Sequence, residues 1–401
     1  MASIENSLSA RLADLGEFRN GVNFGKGMKG SGLGLINVKD IFCDSPKVDF
    51  ESLDLVNLAD SRGVERYFVE AGDLFFVRSS VKRDGIGFVA YSDRKNHDAV
   101  HCGFVIRFRP DKHKVDSRFL TYALRSPNTR ERIRNLSGGA AITNISQEAL
   151  RTLELDIPPL PEQRRIAGIL SAYDELMENS QRRIRLLEAM ARALYREWFV
   201  HFRFPGHAKH PRVASPLGDI PQGWEVLEFR HLFDIRYGKT LPKTEISDSG
   251  PYPVYGAGDV IGFYDKMLCP NKCALVTSRG NGSGTVWRTR EAAFVTNNSL
   301  IMLPQEDRRY WDYSFVELLL KHANVMEAKT GSAQPQVTIE NLNYVKAIVP
   351  TKLLVERFCA IATPIYEQVD CLFRQIQYLR RTRDLLLPRL LSGQVQIPNT
   401  N

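Results

Sequence analysis

Residues 158–200 read PPLPEQRRIAGILSAYDELMENSQRRIRLLEAMARALYREWFV, and this stretch decides the fold. From Leu170 to Trp198, residues that are apolar almost throughout return at alternating steps of three and four, which is the seam of a coiled-coil helix. Prolines precede the seam, and Pro161 suits a first helical turn because the N–H that proline lacks would be unpaired there anyway. A helix of this length extends on the order of 50 Å and cannot bury its own apolar stripe. The sequence therefore predicts a partner helix.

A second apolar series near the C-terminus supplies that partner. It repeats the first at a constant shift, since Ile365 lies 192 positions after Tyr173. The segments before the helices repeat with the same shift: NISQEAL at 144–150 matches QVTIENL at 336–342. A repeat this long indicates a duplicated half-protein rather than a solenoid unit. The predicted helix–helix seam consists of Leu170, Tyr173, Met177, Ile184, Leu187, Leu194, Trp198, Ile365, Val369, Leu372, Ile376, Leu379, Leu386 and Leu390.

The duplication predicts an α/β or α+β protein in which two tandem globular domains are each followed by a long helix. We expect domain 1 at 1–155, helix 1 at 156–203, a polar linker at 204–216, domain 2 at 217–350 and helix 2 at 351–395. Within the domains, the patterns predict strands at 35–38, 73–77, 100–108, 274–277 and 293–302. They predict helical stretches at 117–134, broken by Pro127, and at 313–329.

Composition bounds the function. The 401 residues are 43% hydrophobic and 25% charged, as in soluble globular proteins, and they suffice for two ordinary domains. No apolar run reaches transmembrane length and the N-terminus lacks the pattern of a signal peptide, so we expect a cytoplasmic protein without membrane contact. The net charge of +8 favours a polyanionic partner.

Catalytic and metal-binding patterns are not found. GKGMKG at 25–30 fits a dinucleotide-loop pattern as text, but a strand-like segment follows where a helix is required. No phosphate-binding P-loop and no methyltransferase motif for the target base are present. The candidate metal ligands lack a second pair or the right spacing, and core or solvated side chains explain them better. They are Cys269 and Cys273, His97 and His101, and His201, His207 and His210.

Both halves carry basic, glycine-rich loops at equivalent places. Glycine lets backbone N–H groups approach a phosphate, lysine supplies charge, and arginine or asparagine can read base edges. One such loop is ordinary surface, but recurrence in both halves favours nucleic-acid binding. The predicted phosphate contacts are Lys26, Lys29, Lys82, Lys239 and Lys243. The predicted base readers are Arg78, Arg83, Arg279, Asn281 and Arg288.

Several motifs together resemble the specificity (S) subunit of type I restriction-modification enzymes. They are IPPLPEQRRIAGIL at 157–170, LYREWFVHF at 194–202, LGDIPQGWEV at 217–226 and LLLPRLLSGQ at 385–394, in the order in which that family has them. The resemblance covers the whole chain. One departure is Pro364, which stands where helix 1 has Ala172 and predicts a kink or a new helix start.

The resemblance implies two target recognition domains, each reading half of a bipartite double-stranded DNA site, and two helices packed antiparallel as the spacer. The helices would dock two methyltransferase subunits, and two restriction subunits would complete the enzyme. Adenine N6 methylation from S-adenosylmethionine, and ATP- and Mg-dependent restriction, would belong to those partners. This chain would be non-catalytic and hold no cofactor. The alternatives are a coiled-coil scaffold that binds no DNA, and a self-contained nuclease.

Overall fold

The structure is a computed structural model that describes residues 8–58, 62–94, 98–137, 143–280, 282–331 and 335–395. It divides into two units. The first comprises Met1–Asn179 and Gln375–Asn401, and the second comprises Ser180–Arg374. The helices are α1 (Val38–Ile41), α2 (Ser117–Arg125), α3 (Pro127–Asn135), α4 (Gln147–Arg151), α5 (Leu160–Tyr195), α6 (Tyr313–His322), α7 (Ile339–Asn343) and α8 (Lys352–Leu391).

The first unit is built on a four-stranded antiparallel sheet of order β2-β9-β5-β7 and a three-stranded sheet of order β4-β3-β8. Strands β3 and β8 are parallel, whereas β1 pairs antiparallel with β11 and β6 with β10. These strands are β1 (Leu8–Arg11), β2 (Gly16–Asn20), β3 (Lys29–Ile36), β4 (Asp54–Val56), β5 (Leu74–Val77), β6 (Ser79–Ser80), β7 (Val89–Tyr91), β8 (Ala99–His101), β9 (Val105–Pro110), β10 (Thr143–Asn144) and β11 (Glu154–Ile157).

The second unit repeats this topology. Its four-stranded sheet has the order β15-β21-β18-β19 and its three-stranded sheet the order β17-β16-β20, again with one parallel pair, β16 with β20. The strands are β12 (Arg212–Val213), β13 (Ile220–Pro221), β14 (Glu225–Glu228), β15 (Phe233–Tyr237), β16 (Tyr252–Tyr255), β17 (Val260–Tyr264), β18 (Ala274–Thr277), β19 (Val286–Arg288), β20 (Phe294–Val295), β21 (Ser299–Pro304), β22 (Lys329–Thr330), β23 (Gln336–Val337) and β24 (Lys346–Val349).

The helix that packs on each sheet begins in the same way in both units. Asp116 accepts backbone N–H bonds at the start of α2, and Asp312 accepts one at the start of α6. These aspartates are N-caps, which satisfy N–H groups that have no partner inside the helix. Mixed sheets with mainly antiparallel pairing and packed helices make each unit α+β, and the duplicated topology confirms the predicted internal repeat.

The long helices pair in opposite directions, as the contacts inside each unit show. In the first unit, Asp174 of α5 forms an ion pair with Arg383, near the end of α8. In the second unit, Tyr195, at the end of α5, packs its ring edge-on to Phe358 in the first part of α8, with centroids 5.8 Å apart. Early α5 therefore meets late α8, and late α5 meets early α8. This confirms the antiparallel pairing.

Every residue of the predicted seam is buried or half-buried. Val369 is fully buried, and Ser180, the polar residue of the first series, is buried as well. The same spacing places one charged residue between Leu379 and Leu386, because Arg383 follows Leu379 by four positions; its guanidinium forms an ion pair with Asp174. Each helix therefore buries its stripe against the other helix and the adjoining domain.

Pro364 does not start a new helix. Helix α8 runs continuously from Lys352 to Leu391, and Pro364 lies on its exposed side. Proline removes one helical hydrogen bond, but Phe358 and Ala362 before it and Tyr366 after it are buried in one core. That shared burial holds the turns on both sides in place, so the prediction of a new start is wrong.

Other element boundaries also differ from prediction. Strand β3 ends at Ile36 because Asn37 caps α1, with its backbone N–H donating to Asp40 Oδ2 at 2.8 Å. Helix α6 ends at His322, since Ala323 is extended and a 3-10 turn follows. The predicted strands at 100–108 and 293–302 are each divided by a two-residue turn. These two turns are the centre of the candidate site.

Candidate nucleic-acid interface

A tight turn joins β8 to β9 in the first unit. Val105 N–H donates to the carbonyl of Cys102 at 2.9 Å, which leaves Gly103 and Phe104 at the tip. The second unit has the same turn between β20 and β21, where Ser299 N–H donates to the carbonyl of Thr296 at 3.1 Å. Asn297 and Asn298 form that tip. Phe104 and Asn298 are thus equivalent residues.

A second segment of each unit passes against this turn. In the first unit, Gly21 N–H donates to the carbonyl of Val105 at 3.1 Å; in the second, Gly238 N–H donates to that of Ser299 at 3.1 Å. A Cβ at Gly21 would lie 2.0 Å from the Cys102 oxygen, and one at Gly238 would lie 2.2 Å from the Thr296 oxygen. Only glycine allows this approach. The basic loops 21–29 and 238–245 are thereby anchored at the turns.

A third segment follows the central strand of each sheet. Arg78 N–H donates to the carbonyl of Phe104, and Ser278 N–H donates to that of Asn298, both at 2.8 Å. Each segment then returns to the strand from which it came. Gly87 N–H donates to the carbonyl of Val77, and Gly284 N–H donates to the carbonyl of Thr277. We call residues 21–29, 78–88 and 102–105 the first loop cluster. The second loop cluster comprises 238–245, 278–280, 282–285 and 296–299.

The loop clusters collect most of the predicted DNA-binding residues. Their exposed members are Lys29, Lys82, Arg83, Lys239, Lys243 and Arg279. Lys29 lies over the ring of Phe24, with Nζ 5.9 Å from the centroid. Arg78 is half-buried and donates from Nη1 to the carbonyl of Gly103 at 3.3 Å. The side chain of Lys26 and all of Asn281 lie outside the described residues. Each cluster presents cations around one fixed turn.

Arg288, which was predicted to read a base, is instead buried in an ionic network. Its side chain is 5% exposed and donates to Asp370 of α8, from Nη2 to Oδ1 at 2.7 Å and from Nη1 to Oδ2 at 3.1 Å. Its Nε lies 3.0 Å from Oε2 of Glu317. A guanidinium held in this way cannot reach a base edge. Arg288 instead connects domain 2 to α8, so the prediction that it reads a base is wrong.

Asp370 is the centre of this buried ionic network. It is 1% exposed, and it also accepts from Lys272 at 2.7 Å and from Arg290 at 3.1 Å. Burial alone would raise the pKa of Asp370, but hydrogen bonds and charges from Arg288 and Lys272 outweigh burial and hold the pKa below its ordinary value. The carboxylate therefore remains charged at neutral pH and binds three cations.

Sequence reasoning missed Phe104, Asn297 and Asn298, because it treated their surroundings as uninterrupted strands. The signal available was Asn297-Asn298, since asparagine favours turns. Gly103 is the corresponding hint in the first half. Both hints were outweighed by the apolar residues on either side.

The candidate metal ligands that the structure describes do not assemble into a site. Within the described ranges, no three His, Cys, Asp or Glu side chains cluster so that they could hold a metal ion. Cys269 and Cys273 are buried in an apolar cluster, and His101 is fully buried. His97 lies outside the described residues. Among the described helices, none is long and apolar enough to cross a membrane.

Comparison with known proteins agrees with this geometry. A family model described as the type I restriction modification DNA specificity domain matches residues 65–189 and again 221–352, more than half of the chain. The chain is 24% identical over 336 residues to the type I restriction enzyme MjaIX specificity subunit of Methanocaldococcus jannaschii, covering 79% of this chain and 76% of that protein. It is 21% identical to the HindI specificity subunit of Haemophilus influenzae, covering 86% and 91%.

A solved structure supports the fold. The S subunit of a type I restriction-modification system from M. genitalium superposes with a TM-score of 0.61 at 19% identity, covering 99% of this chain and 97% of that one. At this identity the likeness concerns the architecture alone. Two matches of the family model, in a chain whose two units share one topology, settle the classification. The chain belongs to the type I restriction-modification DNA specificity family.

Proposed function

We propose that this chain is the sequence-specificity subunit of a type I restriction-modification enzyme, in which each unit reads one half of a bipartite site in double-stranded DNA. The observation that carries the proposal is the loop cluster, which occurs once in each unit with the same backbone anchors and exposed cations. A duplicated reading surface is what a target in two parts requires. The family membership supports the same conclusion.

The chemistry of the clusters suits duplex DNA. In this proposal, lysine ammonium groups neutralise phosphates and thereby release counterions from the DNA backbone. The lysines concerned are Lys26, Lys29, Lys82, Lys239 and Lys243. Arg78, Arg83, Arg279 and Asn281 are placed at base edges, since guanidinium and amide groups match the donor and acceptor pattern of the major groove. The ends of the basic loops are held by backbone hydrogen bonds, which supports specific binding. A loop that is already ordered loses less conformational entropy when it binds DNA.

In this proposal, the long helices have two tasks. They set the distance between the half-sites, and they dock two methyltransferase subunits; two restriction subunits complete the enzyme. Exposed apolar side chains on the helices support docking, among them Leu186 and Met190 of α5 and Tyr378 and Leu385 of α8. Exposed arginines such as Arg183 and Arg381 accompany them.

We assign the catalytic steps to those partners. Adenine N6 methylation would draw on S-adenosylmethionine, and restriction on ATP and Mg, all held by the partner subunits. This chain would bind no cofactor and would act in the cytoplasm, where the DNA is. Its contribution is to select the site and to bring the catalytic subunits to it.

The test is a selection from random duplex DNA with the full chain, alone and co-expressed with the neighbouring methyltransferase gene. The proposal predicts an enriched motif of two short blocks separated by a fixed number of unspecified base pairs. The double variant Lys239→Glu with Lys243→Glu should weaken binding and lower its salt dependence. Replacing the exposed pair partner Glu306 by Gln is the matched surface control. Recovery of no motif by wild-type chain and complex would refute the proposal.

A further inference from the structure

The tip residue of each loop cluster carries an inference beyond the recognition of a two-part site. Phe104 is 63% exposed although it is a large apolar side chain. Single exposed apolar residues are common on protein surfaces and need no explanation. Phe104 differs because it projects from the turn against which both basic segments of its cluster are anchored. Its equivalent in the second cluster, Asn298, is polar and half-buried.

The backbone at both tips is rigidly held. The carbonyl of Phe104 accepts from Arg78 N–H at 2.8 Å, and that of Gly103 accepts from the Arg78 guanidinium at 3.3 Å. In the second unit, the carbonyl of Asn298 accepts from Ser278 N–H at 2.8 Å, and that of Asn297 accepts from Ser278 Oγ at 3.2 Å. These bonds fix the backbone from which the tip side chains project, which is the kind of support that a base-reading contact requires.

The two side chains suit different edges of the same base pair. An apolar ring packs against the C5-methyl group of thymine, which is the apolar feature of the major groove. A carboxamide matches adenine, because its oxygen accepts from N6 and its nitrogen donates to N7. Neither side chain carries charge, so neither adds to the sequence-independent attraction of phosphates. Their contribution is to discriminate between bases.

We propose that the turn tips are specificity-determining positions, each reading one A·T base pair: Phe104 contacts the thymine methyl in the first half-site, and Asn298 hydrogen-bonds adenine in the second. This inference rests on the proposed function and deepens it. Phe104 and Asn298 occupy equivalent positions in the two units and both read a base, but one does so by an apolar contact and the other by hydrogen bonds. Each half-site therefore presents an A·T base pair at the turn, which is contacted through its thymine in the first half-site and through its adenine in the second.

The test repeats the duplex selection with full-chain variants in complex with the methyltransferase. Phe104→Ala should remove the base preference at one position of the first half-site and leave the second half-site unchanged. Asn298→Ala should do the reverse. Phe104→Leu keeps an apolar contact and should retain the thymine preference. Tyr344→Ala, which removes an aromatic side chain that is 61% exposed outside both clusters, should leave the motif as it is.

A base analogue separates the methyl contact from other effects. At the position that Phe104→Ala relaxes, deoxyuridine in place of thymidine removes the methyl group alone. The wild-type complex should lose roughly tenfold in affinity, and the Phe104→Ala complex should lose almost none. The same motif from wild type, Phe104→Ala and Asn298→Ala would overturn the inference while leaving the proposed function intact. No motif from wild type would instead refute the proposed function.

Discussion

Replacing Asp370 by alanine should strongly destabilise the second unit. The change removes a carboxylate that is 1% exposed and accepts four hydrogen bonds from three cations, two of them from Arg288. Lys272 and Arg290 are partly exposed and can turn towards water, but Arg288 is enclosed and keeps Glu317 as its one remaining ionic partner in the described network. Breaking a buried pair on one side costs about 3–5 kcal/mol, because a buried charge loses its partner.

The assay follows from where the tryptophans lie. All four, Trp198, Trp224, Trp287 and Trp311, belong to the second unit, so their fluorescence reports its unfolding selectively. For a unit of this size, a loss of about 3–5 kcal/mol lowers the melting temperature by roughly 10 °C. The exposed-pair variant Glu306→Ala should change the free energy of unfolding by less than about 0.5 kcal/mol.

A double variant separates an unpaired charge from a lost contact. Asp370→Leu combined with Arg288→Met replaces the central ion pair by apolar side chains and should recover most of the stability. The reasoning would be refuted if Asp370→Ala costs under about 1 kcal/mol. It would also be refuted if the double variant is as unstable as the sum of its single changes.

Three further predictions concern pH, base reading and the helices. Burial, together with the nearby charge of Arg107, lowers the pKa of His101 to about 3 in the folded chain. Between about pH 6.5 and pH 3, His101 is therefore protonated in the unfolded chain but neutral in the folded one. The free energy of unfolding of the first unit should therefore fall by about 1.4 kcal/mol when the pH is lowered from 7.5 to 5.5, as measured by urea unfolding followed by circular dichroism. His101→Leu should abolish that loss, and a wild-type unit equally stable at both pH values would contradict it. Arg279→Ala should cost roughly 1–3 kcal/mol of DNA-binding free energy and relax the base preference at one position of the second half-site, whereas Lys239→Ala should weaken binding to all DNA sequences alike. If Arg279→Ala also weakened binding equally on every sequence, Arg279 would contact a phosphate and not a base. Inserting seven residues after Asn179 and seven after Arg374 keeps the heptad register and lengthens both long helices by about 10 Å. The gap between the two half-sites should then widen by about three base pairs. An unchanged gap would contradict the proposed role of the helices as a spacer.

The sequence was most informative where a pattern repeats. The three-four spacing from Leu170 to Trp198 and its copy 192 positions later identify both long helices, and each seam residue is indeed buried or half-buried. The pattern is readable because every helical turn contributes one apolar residue to the same stripe. Duplication then implied two equivalent domains, as the strand orders confirm.

Features that depend on tertiary packing could not be predicted. Arg288 has the same local character as an exposed DNA-binding arginine, and only the approach of Asp370 from α8 shows that it is buried. Phe104 sits between two apolar stretches, so the turn that exposes it was hidden within an apparent strand. Pro364 was expected to kink the second helix or to start a new one, but α8 continues through it without a new start because packing on both sides holds the helix in place.

The central claim is that two equivalent units read two halves of one DNA site and direct a methyltransferase to it. Sequencing of modified adenines in host DNA, in strains with and without this chain, tests that claim most directly. The account predicts N6-methyladenine in a bipartite motif with a fixed gap, lost on deletion and restored by the wild-type chain. Methylation that is absent although a stable complex forms, or that persists unchanged after deletion, would contradict it.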